Sequence, residues 1–69
     1  MQPLADLRTA ADAAHRRLIS ARNRRDAYAP GTALADAASG EVRVAHAEYR
    51  YALSLYRRAT ADAATETRS

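Results

Sequence analysis

Three arginines recur at seven-residue intervals in the second half of this 69-residue chain, at Arg43, Arg50 and Arg57, and Arg58 follows the last of them. On an α-helix this spacing puts one guanidinium about every 10 Å along one side. Regularly spaced guanidinium groups can follow the phosphates of a nucleic acid. The pattern therefore indicates, as an alternative function, an Arg-rich protein that contacts the phosphate backbone. A solvated helix face would carry the same pattern, and no helix-turn-helix, zinc-finger or basic-zipper layout accompanies it.

Two histidines, His15 and His46, occupy equivalent positions in the two halves of the chain, so folding the halves together would bring their rings nearly opposite each other. A stable zinc site needs three or four protein ligands, whereas the chain has no cysteine and no third histidine. Asp12 precedes His15 by three residues, but no nucleophile is placed with them in a recognisable motif. We therefore expect no metal, no cofactor, no small-molecule substrate and no enzymatic activity.

The first half of the chain places two leucines, an aspartate and two widely spaced arginines in one helical stretch, as Leu7-Arg8, Asp12, Leu18-Ile19 and Arg25. In this combination, residues 4–29 are similar to the first helix of the all-helical chorismate mutases. The resemblance implies that Arg8 and Arg25 would hold the carboxylates of a substrate. The chain departs from that family's pattern because Pro30-Gly31 ends the helix early and because it contains no lysine. We expect no chorismate turnover.

A seven-residue apolar repeat in both halves of the chain predicts the elements that carry these residues. In the first half the repeat consists of Leu4, Leu7, Ala11, Ala14, Leu18, Ala21 and Tyr28. In the second half it consists of Ala35, Ala38, Val42, Ala45, Tyr49, Ala52, Tyr56, Ala59 and Ala63. Both series have the alternating three- and four-residue spacing of packed helices. The pattern predicts a single all-α domain over residues 1–69, an antiparallel two-helix hairpin.

Proline and glycine predict where the helices begin and end. Pro30-Gly31 disfavours helical geometry and provides a turn, so the helices are predicted over residues 4–29 and 32–65, with Thr32 as N-cap and a frayed tail. Ser39-Gly40 offers a competing break, because glycine inside a helix costs about 1 kcal/mol relative to alanine. The unbroken repeat favours a continuous second helix, and a helix beginning at Glu41 is the alternative.

Matching large residues to small ones across the turn predicts the register. The predicted layers are Leu4 with Ala59, Leu7 with Tyr56, Ala11 with Ala52, Ala14 with Tyr49, Leu18 with Ala45, Ala21 with Val42 and Tyr28 with Ala35. The same register places Arg17 beside Glu48 and Arg24 beside Glu41, whereas a slip by one heptad keeps a single ion pair. Exposed pairs contribute only about 0–1 kcal/mol, so they discriminate between registers rather than stabilise the fold.

Five larger apolar residues lie outside the seam, namely Val44, Tyr51, Leu55, Leu53 and Ile19. The first three share one side of the second helix with Ala37 and Glu48. An exposed stripe of this kind is typical of an interface with a partner, either a second hairpin in a four-helix bundle or a larger protein. A broad hairpin face that simply buries these residues is the alternative.

The composition also favours association. Alanine provides 19 of the 69 residues, and burying alanine contributes little compared with about 1.5–3 kcal/mol for leucine or valine. A single core in a chain of this length is marginal without a staple or partner, and no cysteine is present to form a disulfide. We therefore predict a small non-enzymatic interaction or regulatory module, acting as a homodimer or docked on a larger protein.

Charge and hydropathy limit the class of partner. All 11 basic side chains are arginine, and the net charge of +3 results from eight acidic residues interspersed among them, so nucleic acid stays an alternative partner. No apolar run approaches the roughly 20 residues of a membrane helix, and the start lacks the layout of a signal peptide. We expect a cytoplasmic protein without a membrane partner.

Overall fold

The computed structural model describes residues 3–68, and the side chains of residues 3–65. It consists of two helices, α1 over Leu4–Ala27 and α2 over Ala33–Arg68, which pack against each other in opposite directions. The resulting rod measures 56 × 16 × 14 Å. The prediction of an all-α antiparallel hairpin is confirmed. Within the described part of the chain, neither helix has a stretch long and apolar enough to cross a membrane.

The first helix begins as predicted and ends two residues earlier than predicted. The Pro3 carbonyl accepts hydrogen bonds from the amides of Asp6 (3.0 Å) and Leu7 (3.2 Å), which starts α1. The last helical residue is Ala27 rather than Ala29, because the Tyr28 backbone is already extended (φ −98°, ψ 149°). The two residues before Pro30 thus belong to the turn, in keeping with the restriction that proline places on the residue preceding it.

Thr32 organises the turn between the helices. Its hydroxyl donates a hydrogen bond to the Ala29 carbonyl at 2.8 Å and accepts one from the Ala35 amide at 3.2 Å. The second bond satisfies an amide of the first turn of α2, so the predicted N-cap is confirmed. Gly31 has φ +81°, the left-handed geometry in which a side chain is strained, and is alone in this among the described residues.

The second helix is continuous. It passes through Ser39 and Gly40 without a break, so the alternative of a helix beginning at Glu41 is not observed. It extends to Arg68, three residues past the predicted end at residue 65, and Ser69 of the predicted tail lies outside the described residues. A Cβ atom built on Gly40 would meet nothing within 4 Å. The glycine at this position is therefore not required by packing inside the hairpin.

The two glycines should respond in opposite directions to alanine. Gly40→Ala is expected to stabilise the protein by about 1 kcal/mol, because Gly40 is helical and has open space around it. Gly31→Ala is expected to destabilise it by about 1–2 kcal/mol, because alanine must adopt a positive φ there. Urea unfolding followed by circular dichroism, at one fixed protein concentration, checks both. Destabilisation by Gly40→Ala would show that α2 is not continuous there.

The seam between the helices is built almost entirely from alanine. Its buried residues are Ala11, Ala14, Leu18, Ala21, Ala35, Ala38 and Ala45. Leu18 packs with Ala21 and Ala45, and Val42 and Tyr49 cover this cluster from α2. In the described side chains, Leu18 is the only buried residue larger than alanine. The seam therefore holds the helices close together but buries little apolar bulk.

Two ion pairs confirm the predicted register. Arg17 Nε lies 3.6 Å from Glu48 Oε2, and Arg24 Nη2 lies 3.1 Å from Glu41 Oε2. The side chains of both pairs are more than half exposed, so each pair contributes at most about 1 kcal/mol to stability. The pairs therefore identify the register but do little to stabilise it.

The two ends of the seam are more open than its middle. Leu4 is 40% exposed and Tyr28 is 37% exposed, although both were predicted in the seam. Each lies at an end of the paired region, where side chains of further layers flank it on one side only. The bulk of the packing is therefore central, around Leu18.

Candidate interaction surfaces

A shallow groove runs along one side of the seam. The ion-paired side chains of Arg17 and Glu48 line it from the two helices, Ala21 and Ala45 contribute apolar surface, and Val44 lies at the α2 edge. Val44 is 60% exposed even though it borders this groove. Charged side chains thus span the groove between the two helices, and its edge on the outer side of α2 is apolar.

Large apolar side chains are exposed along the same side of α2. Tyr51 is 68% exposed and follows Val44 by seven residues, which places the two about 10 Å apart on one face. Leu55, one turn farther on, is half-buried. We call the set Leu34, Ala37, Val44, Tyr51 and Leu55 the outer ridge.

The sequence reasoning missed Leu34. This residue is 61% exposed, about as much as Val44. Leu34 precedes Leu55 by 21 residues, which is three heptads. This spacing, visible in the sequence, places both leucines on the same side of α2. The ridge therefore begins in the first turn of α2 and extends past its middle.

The other two predicted partner-binding residues lie elsewhere. Leu53 is half-buried on the opposite flank of the seam, where it lines a small groove with His15 and Tyr49. Ile19 is 42% exposed and belongs to α1. The structure thus brings Val44, Tyr51 and Leu55 together and leaves Leu53 and Ile19 outside that surface.

The arginines of α2 form a separate exposed surface. Arg43, Arg50, Arg57 and Arg58 are all exposed, and within residues 3–65 none of their guanidinium groups makes an ion pair or hydrogen bond. On a helix Arg43 and Arg50 lie about 100° away from Val44 and Tyr51, because each directly precedes one of these residues, and Arg57 continues the seven-residue spacing. We call Arg43, Arg50 and Arg57 the arginine ridge.

Two acidic residues in the middle of α2, Glu41 and Glu48, lie on the other side from the arginine ridge and are neutralised. Glu41 and Glu48 each precede a ridge arginine by two residues, which is about 200° around the helix. Both point toward α1, where Arg24 and Arg17 bind them. Packing of the hairpin thus pairs the carboxylates in the middle of α2 with arginines of α1 and leaves the guanidinium groups of the arginine ridge in solvent.

The residues suggestive of catalysis or metal binding do not converge. His15 contacts the Tyr49 ring, with 5.1 Å between centroids, rather than pairing with His46 as the sequence suggested. No group of three or more metal-ligating side chains occurs in the described residues. Arg8 and Arg25 are 17 residues apart on α1, roughly 25 Å at 1.5 Å per residue, and Arg25 pairs with Asp26 (3.3 Å). The arginines implied by the resemblance to chorismate mutases therefore do not share a site in one hairpin.

No protein-family model, curated protein or solved structure matches this chain. The functional assignment rests on the packing, exposure and charge of its own residues.

Proposed function

We propose that this protein is a small non-enzymatic interaction module that acts as a homodimer of helical hairpins. The outer ridge of α2 is the interface, and two copies form a four-helix bundle. One observation carries the proposal. Among the side chains of residues 3–65, the most exposed of the large apolar ones, Tyr51 and Leu34, are 68% and 61% exposed, while six of the seven buried residues are alanine.

The free energy of burial favours covering the ridge. A fully buried valine, leucine or aromatic residue contributes about 1.5–3 kcal/mol, whereas alanine contributes much less. The seam buries only one such residue, Leu18, and the outer ridge offers Val44 and Tyr51 nearly uncovered. A hairpin of this kind gains more from a second apolar interface than a domain with a full core does. Association would thereby bury large apolar side chains, of which the seam contains few.

The spacing along the ridge is self-complementary, as a two-fold interface requires. Ala37 and Tyr51 each lie seven residues from Val44, on either side of it. When two α2 helices pack antiparallel about Val44, each Tyr51 faces Ala37 of the second copy. The same alignment brings Leu34 next to Leu55 of the second copy. The Tyr51–Ala37 contacts then match a large residue to a small one, as in the seam, and Leu34 and Leu55 add apolar contact at the ends.

The charges beside the ridge are compatible with this arrangement. Glu41 and Glu48 lie between the apolar ridge positions, and unpaired carboxylates there would repel those of the second copy. Each is held by an arginine of its own α1, at 3.1 and 3.6 Å. The edge of the proposed interface therefore carries compact ion pairs rather than net negative charge.

Substituting Tyr51 by arginine is expected to convert the dimer to a monomer. Each dimer loses two tyrosine contacts, and an interface tyrosine near the centre contributes about 1–2 kcal/mol, so the dissociation constant rises about 30- to 900-fold. Sedimentation equilibrium at low micromolar concentration measures this. Circular dichroism checks that the variant retains its helices.

Ile19→Arg provides the matched control, because Ile19 is also exposed and apolar but lies on α1. It should leave the dimer intact. A wild-type chain that sediments as a folded monomer at this concentration would overturn the homodimer. The alternative occupant, a larger protein, would appear as one specific band in a crosslinked pull-down that Tyr51→Arg abolishes.

A further inference from the structure

The arginine ridge is the one strongly charged surface of α2 that the proposed dimer interface does not use. Its three guanidinium groups belong to the exposed side chains of Arg43, Arg50 and Arg57, and no described residue forms an ion pair with them. This differs from Arg17 and Arg24, whose guanidinium groups bind Glu48 and Glu41. The ridge therefore carries three positive charges without internal counter-charges.

The neighbouring positions on α2 keep the ridge free of acids. On a helix the closest side chains are three and four residues away. At these distances from the three arginines the chain has only uncharged side chains and one histidine, namely Ser39, Gly40, His46, Ala47, Leu53, Ser54, Thr60 and Ala61. Asp36, seven residues before Arg43, occupies the equivalent position at the turn end and so marks the limit of the ridge.

The shape of the ridge allows close approach of a large ligand. The residues four positions after the arginines are Ala47, Ser54 and Ala61, all small and all exposed or part of the exposed face. Because these side chains are short, no bulky group stands beside any of the three guanidinium groups. A rod-like ligand lying along α2 can therefore contact all three arginines over a length of about 20 Å.

From these observations we infer that the arginine ridge binds the phosphate backbone of a nucleic acid. The guanidinium groups are about 10 Å apart along the helix, too far for several of them to share one phosphate, so the spacing suits a repeating polyanion. A membrane surface fits less well, because an interfacial helix buries large apolar side chains between its basic ones. Here the positions four residues after the arginines hold alanine and serine, and the one large apolar neighbour, Leu53, is half-buried toward the seam. The contacts are with phosphates and carry no base specificity.

This inference does not depend on the homodimer. The arginine ridge and the outer ridge are separated by about 100° around α2, so a second copy seated on Val44 and Tyr51 leaves the arginines accessible. Dimerisation would present two such ridges in one particle. The two proposals therefore fail independently.

Binding of a fluorescent 20-base-pair DNA duplex, a matching RNA duplex and a 20-nucleotide single strand tests the inference by anisotropy. Three phosphate contacts predict a slope of about −2.7 in log affinity against log salt, so affinity falls roughly 40-fold between 50 and 200 mM salt. The combined substitution Arg43→Gln, Arg50→Gln and Arg57→Gln should reduce affinity at 50 mM salt at least tenfold and flatten the slope. Glutamine keeps helix propensity near that of arginine, so folding is retained and circular dichroism verifies it.

The matched control changes three exposed arginines of α1, as Arg8→Gln, Arg16→Gln and Arg22→Gln, with the same loss of net charge. It should bind at least several-fold more tightly than the ridge variant. Equal affinities of the two variants would mean that net charge, not the ridge, is responsible. Absence of binding to all three nucleic acids at 50 mM salt would overturn the inference, as would binding only to vesicles containing phosphatidylserine.

Discussion

Replacing Leu18 by alanine is expected to remove about 2–5 kcal/mol of stability, most of what a hairpin of this size has. Folded chains retain about 0.05–0.15 kcal/mol per residue, or roughly 3–10 kcal/mol here. Leu18 is 2% exposed, and its neighbours Ala21 and Ala45 are too small to fill the space that it would leave. Urea unfolding monitored by circular dichroism at 222 nm, at constant protein concentration, measures the loss.

Ile19→Ala is the control for this substitution, since it removes a similar volume at the next residue of the same helix. Ile19 is 42% exposed, so its truncation is expected to change stability by no more than about 0.5 kcal/mol. Similar losses for the two variants would contradict the assignment of Leu18 as the centre of the seam.

Enlarging an alanine of the seam should be nearly as harmful as truncating its leucine. Ala21→Leu is expected to cost about 1–3 kcal/mol, because Ala21 is 2% exposed and lies against Leu18 and Ala45. The added atoms must either push α2 away or force neighbouring side chains out of their preferred rotamers. The loss is measured by the same unfolding experiment.

An exposed alanine of the same helix separates crowding from helix propensity. Ala10→Leu introduces the same side chain where the structure leaves room, and leucine is nearly as good a helix former as alanine. Its stability should therefore stay within about 0.5 kcal/mol of the wild type. If Ala21→Leu were equally neutral, the helices would not be as closely packed as the seam indicates.

The register of the hairpin was predictable because two independent patterns agree on it. The alternation of large and small residues and the two Arg–Glu pairs both select the same alignment, and the structure contains both pairs. A shift by one heptad would keep the apolar residues in the seam, but it would change the partner in every layer and keep only one Arg–Glu pair. The N-cap was predictable because Thr32 directly precedes the second helix, and its hydroxyl accepts a hydrogen bond from the Ala35 amide.

The end of α1 was not predictable to the residue. Proline restricts the residue before it, which alone would permit a helix to continue close to Ala29. In the structure, the Ala29 carbonyl instead accepts hydrogen bonds from the hydroxyl and the amide of Thr32. That choice depends on how the two helices pack, and packing is not contained in the local sequence.

The interaction surfaces were only partly predictable. Val44 and Tyr51 stood out because they fall outside the seven-residue repeat, and both are exposed. Leu34 was missed because it lies beside the turn, where coverage depends on the path of the chain. The spacing of the arginine ridge was visible in the sequence, and the structure adds that its side chains are exposed while Glu41 and Glu48, in the middle of α2, are paired with α1.

The short connection at Gly31 has a consequence for how the protein folds. Every inter-helix layer is closed around this one turn, from Tyr28 and Ala35, seven residues apart, to Leu4 and Ala59, 55 residues apart. Closing a short loop loses less chain entropy than closing a long one, so contacts nearest the turn form most readily and those at the free ends last. Such local topology is typical of chains that fold within microseconds to milliseconds. During folding, the part of the outer ridge around Val44 should therefore form before the two ends of the chain pack against each other.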